Sequence, residues 1–264
     1  MDAHEYQVGQ THWHTDEVAH LMPSGPDAGF LLRRWDEQTS DSVAAAPAGA
    51  MLDVGCGNGR MLTLLTKRGW RVCGVDPSSR QLQEASERLQ KAGIKVDLVR
   101  AVAEYLPFKD AAFDVLHSKS AIDHITDREA AMTEFPRVLG PSGRAVISAV
   151  SFGGVSARLS RLLYAIARRT GVSDRRRRPW DTHVPVEHTF EGTYDNIVEL
   201  CTSSMDLVEV YGVSLFFALP RWGWLLAKLP KRLVNRILNT FDRIAYARPK
   251  LADVVVCVVT PRTK

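Results

Sequence analysis

The segment Leu52-Asp53-Val54-Gly55-Cys56-Gly57-Asn58-Gly59-Arg60 sets glycines at alternate positions between a short apolar run and a helix-prone stretch. Having no side chains, Gly55, Gly57 and Gly59 let a backbone bend lie close against a ligand, and the helix start behind them offers amide N–H groups. That geometry suits a nucleotide-type ligand. The pyrophosphate fingerprint is G-x-G-x-x-G, whereas here Gly59 comes one residue early and Arg60 takes the fingerprint position, which argues against a dinucleotide. Asp76 ends the next apolar run about twenty residues on, where a carboxylate accepts from ribose hydroxyls. An adenosine without a diphosphate satisfies both facts.

Proton transfer near neutral pH points to histidine. His124, in Ala121-Ile122-Asp123-His124-Ile125, follows an apolar run and is expected to face the cleft, and His188 lies in Val184-Pro185-Val186-Glu187-His188. His117, Glu187 and His183 stand behind them, and a structural hydrogen bond is the alternative reading of His124. His12, His14 and His20 have no carboxylate or cysteine at ligand spacing, so no metal site is expected. Cys56, Cys73, Cys201 and Cys257 are scattered, which suggests neither zinc nor a disulfide framework and fits a reducing cytoplasm. Cys56 lacks a partner base and reads as a small filler, not a nucleophile.

These residues need a frame. Ala50–Val54 is an apolar run that stops at glycines, the pattern of a buried parallel strand entering a tight turn. Arg60–Arg68 reads as a helix ended by Gly69, and the unit repeats with a strand over Arg71–Val75 and a helix over Ser79–Lys91 ended by Gly93. Strands follow over Lys95–Ala101 and Phe113–Ser118, then a helix over Arg128–Leu139. Pro141-Ser142-Gly143 reads as a turn before a strand over Arg144–Val150. A helix over Tyr194–Ser203 and strands over Leu207–Tyr211 and Asp253–Thr260 complete the pattern. Alternating strands and helices imply a mostly parallel sheet with right-handed crossovers.

The chain has 264 residues, 45% hydrophobic and 24% charged, enough for one sizeable α/β core with elaborations. The divisions expected are a helical lid over 1–48, a ligand-binding core over 49–150, a basic cap insertion over 151–192, and a return to the core over 193–264. A net charge of +4 does not by itself indicate nucleic acid, and no nucleic-acid motif is present. Arg158, Arg161, Arg168, Arg169 and Arg175–Arg178 form a positive stretch opposed only by Asp174. No uninterrupted apolar segment is long enough to span a bilayer, and the polar leader lacks a signal-peptide core. A cytoplasmic location follows as the expectation. Leu215–Leu226 is unusually apolar, and Leu233, Ile237, Phe241 and Ile244 recur at helical spacing among Lys231, Arg232, Arg236 and Arg243. Three readings fit: packing on the protein's own domain, a lid over a hydrophobic acceptor, and peripheral membrane contact.

From Met51 to Ser151 the sequence resembles the class I S-adenosylmethionine-dependent methyltransferases, in particular the small-molecule group that includes quinone-biosynthesis enzymes. The resemblance rests on LDVGCGNGR, VCGVDPS, AEYLPFKDAAFDV, the HI of AIDHI, and EFPRVLGPSGRAVIS, in family order and spacing. It implies a Rossmann-like α/β fold with a seven-stranded sheet whose last strand is antiparallel, a helical cap insertion, S-adenosyl-L-methionine as cofactor, and a small-molecule acceptor. By the same resemblance the loop of Gly55, Cys56, Gly57 and Gly59 lies against the methionine part and Asp53 helps anchor it. Asp76 holds the ribose, Pro77 lies near the adenine, Ala103 and Glu104 edge the adenine pocket, and Ser118 borders the transfer centre. Val102 stands where family members often have Asp, leaving adenine recognition to the backbone. In such a reaction an acceptor hydroxyl needs a base, and His124 and His188 are the candidates. The leader's Tyr6 and Trp13 are expected to close over the site as part of a lid.

Overall fold

The computed structural model describes residues 25–46, 49–169, 190–217 and 219–262. His183, Glu187, His188, Tyr6, Trp13 and the arginine run 175–178 lie outside the described residues.

Seven strands form one sheet: β1 (Ala50–Val54), β2 (Arg71–Asp76), β3 (Asp97–Arg100), β4 (Phe113–Lys119), β5 (Leu139–Val150), β6 (Met205–Val213) and β7 (Val254–Pro261). Their order is β3-β2-β1-β4-β5-β7-β6. The first five are parallel, and β7 runs antiparallel between β5 and β6, as the resemblance implied. Every residue of β1 is buried, because this strand has neighbours on both edges and helices over both faces.

One face carries α1 (Pro26–Ala44), α2 (Arg60–Thr66) and α3 (Ser79–Lys91), whose Leu31, Trp35, Leu62, Leu65 and Leu89 meet Met51, Val115 and Val146 of the sheet. The other carries α4 (Arg128–Val138) and α6 (Tyr194–Thr202), through Met132, Phe135, Ile197 and Cys201. Helix α5 (Val155–Arg169) follows β5. Helices α7 (Trp222–Ala227) and α8 (Lys231–Ala247) stack outside α1, with Leu226, Val234 and Leu238 around Phe30. No described helix is long and apolar enough to cross a membrane.

Two local expectations are corrected. Pro141–Gly143 is not a turn ahead of the strand. β5 begins at Leu139, opposite Phe113, and resumes pairing at Arg144 opposite Val115, so the Pro-Ser-Gly stretch bulges out of a continuous strand. Helix α8 buries Val234, Leu238, Asp242 and Ala245, one residue round from the stripe of Leu233, Ile237, Phe241 and Ile244. Leu233 and Ile244 are exposed. Asp242 sets this rotation, because its carboxylate accepts from Arg34 Nε at 2.9 Å, Gln38 Nε2 at 3.0 Å and the Ser214 amide at 3.1 Å.

Candidate functional site

Strand order reverses between β1 and β4, and the carboxyl ends of the parallel strands flank the crevice where open α/β sheets bind ligands. The glycine bend leaves β1 at this point. Gly55 and Cys56 both donate their amides to the Val75 carbonyl, at 2.8 and 2.9 Å, which pins the bend to β2. The Gly57 amide donates to Asp76 Oδ2 and the Ser78 amide to Asp76 Oδ1, each at 2.9 Å. The tip carboxylate of β2 thus organises two loops at once.

Glycine is required at two of these positions for space as well as conformation. Gly55 has φ +73°, and a Cβ there would lie 2.5 Å from Ala121 Cβ; Gly59 has φ +75°, and its Cβ would lie 2.9 Å from Ala85 Cβ on α3. The first contact places the loop after β4 directly against the bend. That loop carries His124, whose amide donates to the Ala121 carbonyl at 2.9 Å and whose Nε2 lies 3.7 Å from Asp123 Oδ2.

Burial pushes the Asp76 carboxyl up to about 6, against the lowering effect of the Ser78 and Gly57 amides. Burial, reinforced by the charges of Asp53 and Asp76, also drives the Cys56 thiol far above its ordinary value, so it remains a thiol. Its role in the bend is carried by its backbone and its small buried side chain.

Asp53 and His117 are register partners on β1 and β4. Both are buried, and His117 Nδ1 donates to Asp53 Oδ1 at 2.7 Å, the carboxylate being able only to accept. Asp53 Oδ2 is buried and has no hydrogen-bond partner among the described residues. A buried carboxylate oxygen left over in this way fits a cationic ligand group, such as the ammonium of an amino-acid moiety. Ser118, next on β4, is fully buried with its Oγ likewise unpartnered among the described residues.

The remaining residues expected at the site line the same edge. Half-buried Pro77 follows β2, and its carbonyl accepts from Arg100 Nε at 3.0 Å. Ala103 and Glu104 are buried beyond β3. Glu104 Oε1 accepts from the Thr126 and Asp127 amides at 3.1 and 3.2 Å and so holds the start of α4. His188 lies outside the described residues.

A further charged cluster closes the α1 side and was not anticipated. Lys119 Nζ, at the tip of β4, and Arg60, at the start of α2, both donate to Asp36 of α1. Burial lowers the Lys119 pKa, with Asp36 acting in the opposite direction. Lys119 also lies 4.7 Å from the Trp35 ring centroid, and Trp35 Nε1 donates to Ser148 Oγ at 2.8 Å. Arg60 in the glycine motif was the one visible signal; Asp36 and Lys119 stand 83 residues apart and nothing local links them.

The strand order, the glycine bend and the acidic strand tip define a Rossmann-like fold. Residues 52–147 match the family model described as a methyltransferase domain. Among curated proteins, the chain is 36% identical over 97 residues to 27-O-demethylrifamycin SV methyltransferase of Amycolatopsis mediterranei, covering 36% of each. It is 32% identical over 129 residues to the ubiquinone/menaquinone biosynthesis C-methyltransferase of Vibrio vulnificus, covering 46% of this chain and 48% of that one. The matched region thus spans less than half the length of these curated relatives. A SAM-dependent methyltransferase structure from Thermotoga maritima shares the fold, with a TM-score of 0.56 at 21% identity over 88% of this chain and 93% of that one.

Proposed function

We propose that this protein is an S-adenosylmethionine-dependent methyltransferase that methylates an oxygen of a small, moderately hydrophobic metabolite. The observation that carries the reading is the glycine bend hydrogen-bonded to the Asp76 carboxylate at the reversal of strand order, beside a buried Asp53 oxygen with no partner among the described residues. The cofactor supplies an electrophilic methyl group on a sulfonium. Asp76 accepts from the ribose hydroxyls, since each of its oxygens keeps a second lone-pair direction beyond the amide it already serves. Asp53 receives the ammonium of the methionine end, and the bend from Gly55 to Gly59 packs along it. Pro77, Ala103 and Glu104 edge the adenine. Ser118 borders the acceptor. Methyl transfer is an in-line displacement, so holding the acceptor oxygen about 3 Å from the methyl carbon, away from water, provides much of the acceleration.

His124 takes the acceptor hydroxyl's proton; His188 is the second candidate for that task. The two curated relatives are named for a 27-O-demethylated rifamycin and for quinone biosynthesis, which favours an acceptor larger and more apolar than an amino acid. Labelled-methyl transfer from S-adenosylmethionine to a panel of phenols, quinols and hydroxylated polyketides tests the proposal. Transfer to oxygen is expected, with His124→Gln lowering kcat about a hundredfold while S-adenosylhomocysteine affinity stays unchanged. Tight cofactor binding with no transfer to any panel member would overturn the enzymatic reading, and an unchanged kcat would remove His124 from its role.

A further inference from the structure

The rotation of α8 that Asp242 fixes leaves two parallel stripes on the outside of the helix. Arg232, Arg236 and Arg243 form one, and Leu233, Ile237 and Ile244 form the other; each apolar residue follows its arginine by one position, about 100° round the helix. All three arginines are exposed, as are Leu233 and Ile244, while Ile237 is half-buried. From residue 214 to 251 the chain carries eight cations, Arg221, Lys228, Lys231, Arg232, Arg236, Arg243, Arg248 and Lys250, and one carboxylate, Asp242. That carboxylate is buried and held by Arg34 and Gln38, so it does nothing to offset charge at the surface. Among the described residues, no carboxylate lies within ion-pair distance of Arg232, Arg236 or Arg243. The neighbouring α7 adds Trp224, the most exposed large apolar residue described at 60%, and Leu225 at 47%. Lys228 Nζ sits 3.6 Å from the centre of the Trp224 ring.

We propose that the α7–α8 face docks this protein onto an anionic lipid surface, with Trp224, Leu233 and Ile244 entering the headgroup region and the arginine stripe pairing with lipid phosphates. Amphipathic helices that lie in a bilayer interface combine these two features. A symmetric pairing of two copies through α8 would set an unbalanced arginine stripe against itself, which charge complementarity disfavours. A nucleic acid would use the arginines and leave the exposed Trp, Leu and Ile without a role. The inference is independent of the proposed reaction, and it places the protein where apolar metabolites concentrate.

The test is co-sedimentation of the full chain with vesicles of equal parts phosphatidylglycerol and phosphatidylcholine, against vesicles of phosphatidylcholine alone. Binding to the anionic vesicles at low salt is expected, with loss as ionic strength rises well above about 0.1 M. Each arginine near an anionic surface contributes about fivefold to partitioning, so the R232Q/R236Q/R243Q variant is expected to bind about a hundredfold more weakly. L233S/I244S is expected to bind at least about tenfold more weakly, because these side chains enter the interface. Both variants are expected to keep the parent circular dichroism and S-adenosylhomocysteine affinity, which separates failure of this surface from failure of the cofactor site. The proposal is overturned if the parent does not bind anionic vesicles, or if binding survives both sets of substitutions. It is also overturned if L233S/I244S binds like the parent, which would mark a general polyanion patch able to take an acidic protein or nucleic acid equally well.

Discussion

Substituting Asn for Asp76 keeps the side chain's size and removes its charge and one of its two acceptor oxygens. In the parent, Oδ2 serves the Gly57 amide and Oδ1 the Ser78 amide. The amide can keep one of these bonds, so the bend is weakened, not abolished, and the effect on ligand binding stands apart from unfolding. A hydrogen bond to a charged acceptor contributes about 1.5–3 kcal/mol; the amide loses one ribose hydroxyl outright and keeps the other as a weaker neutral bond, so the loss is about 2–4 kcal/mol. That corresponds to about thirty- to a thousandfold lower affinity for S-adenosylhomocysteine by titration calorimetry. An affinity within about threefold of the parent would refute the role of Asp76. The pH dependence gives a second reading of the same group. Burial raises the Asp76 carboxyl to about 6, and only its ionised form accepts from both hydroxyls, so parent affinity falls as pH drops through about 6. The Asn variant loses that dependence. Stability moves the other way: a folded value above the ordinary 3.8 means that this group's contribution is full below about pH 4 and is lost as pH rises through about 6, by up to about 3 kcal/mol.

Gly59→Ala combines a left-handed backbone, costing about 1–2 kcal/mol, with a Cβ 2.9 Å from Ala85, and is expected to lower Tm by about 10 °C. Gly69→Ala, at φ +88° with open space around it, is expected to cost about 3 °C, and equal losses in the two variants would show that the Ala85 contact carries no weight. Burial raises the Asp253 carboxyl to about 7, so its contribution to stability is full below about pH 4 and declines as pH rises through about 7. Asp253→Asn, scanned by differential calorimetry, is expected to flatten the fall of Tm between about pH 5 and 8; an unchanged slope would contradict this. Lys119→Met leaves Asp36 with Arg60 alone and is expected to destabilise by about 2 kcal/mol in denaturant titration. Adding Asp36→Leu is expected to recover part of that loss, and strict additivity of the two would show that the pair does not interact.

The half of the molecule around β1, β2 and α3 is legible because glycines punctuate it. Gly55, Gly69 and Gly93 adopt positive φ where the expected strands and helices end, and Asp76 has to stand at a strand tip to be spaced from the bend as it is. The β5 bulge is not legible, because a Pro-Ser-Gly stretch gives the same local signal whether it ends an element or is extruded from one, and only the pairing of Leu139 with Phe113 decides. The periodicity of α8 misleads for a different reason. Leu233 and Ile244 of the more apolar stripe face outward because the inward face contains Asp242, whose three donors come from α1 and the end of β6. The Asp53–His117 pair follows once β1 and β4 are known to be parallel neighbours, but the sequence does not supply that register. The Lys119–Asp36–Arg60 cluster depends on α1 crossing the sheet, a long-range arrangement with no local trace.

A crystal structure with S-adenosylhomocysteine decides whether the bend from Gly55 to Gly59 and the Asp76 carboxylate together seat an adenosyl cofactor. The predicted result has both ribose hydroxyls within hydrogen-bond reach of Asp76, the amino-acid end along the bend with its ammonium at Asp53, and the sulfur facing the loop that carries His124. A ligand bound away from the ends of β1 and β2, or bound there with its ribose turned away from Asp76, would contradict the account.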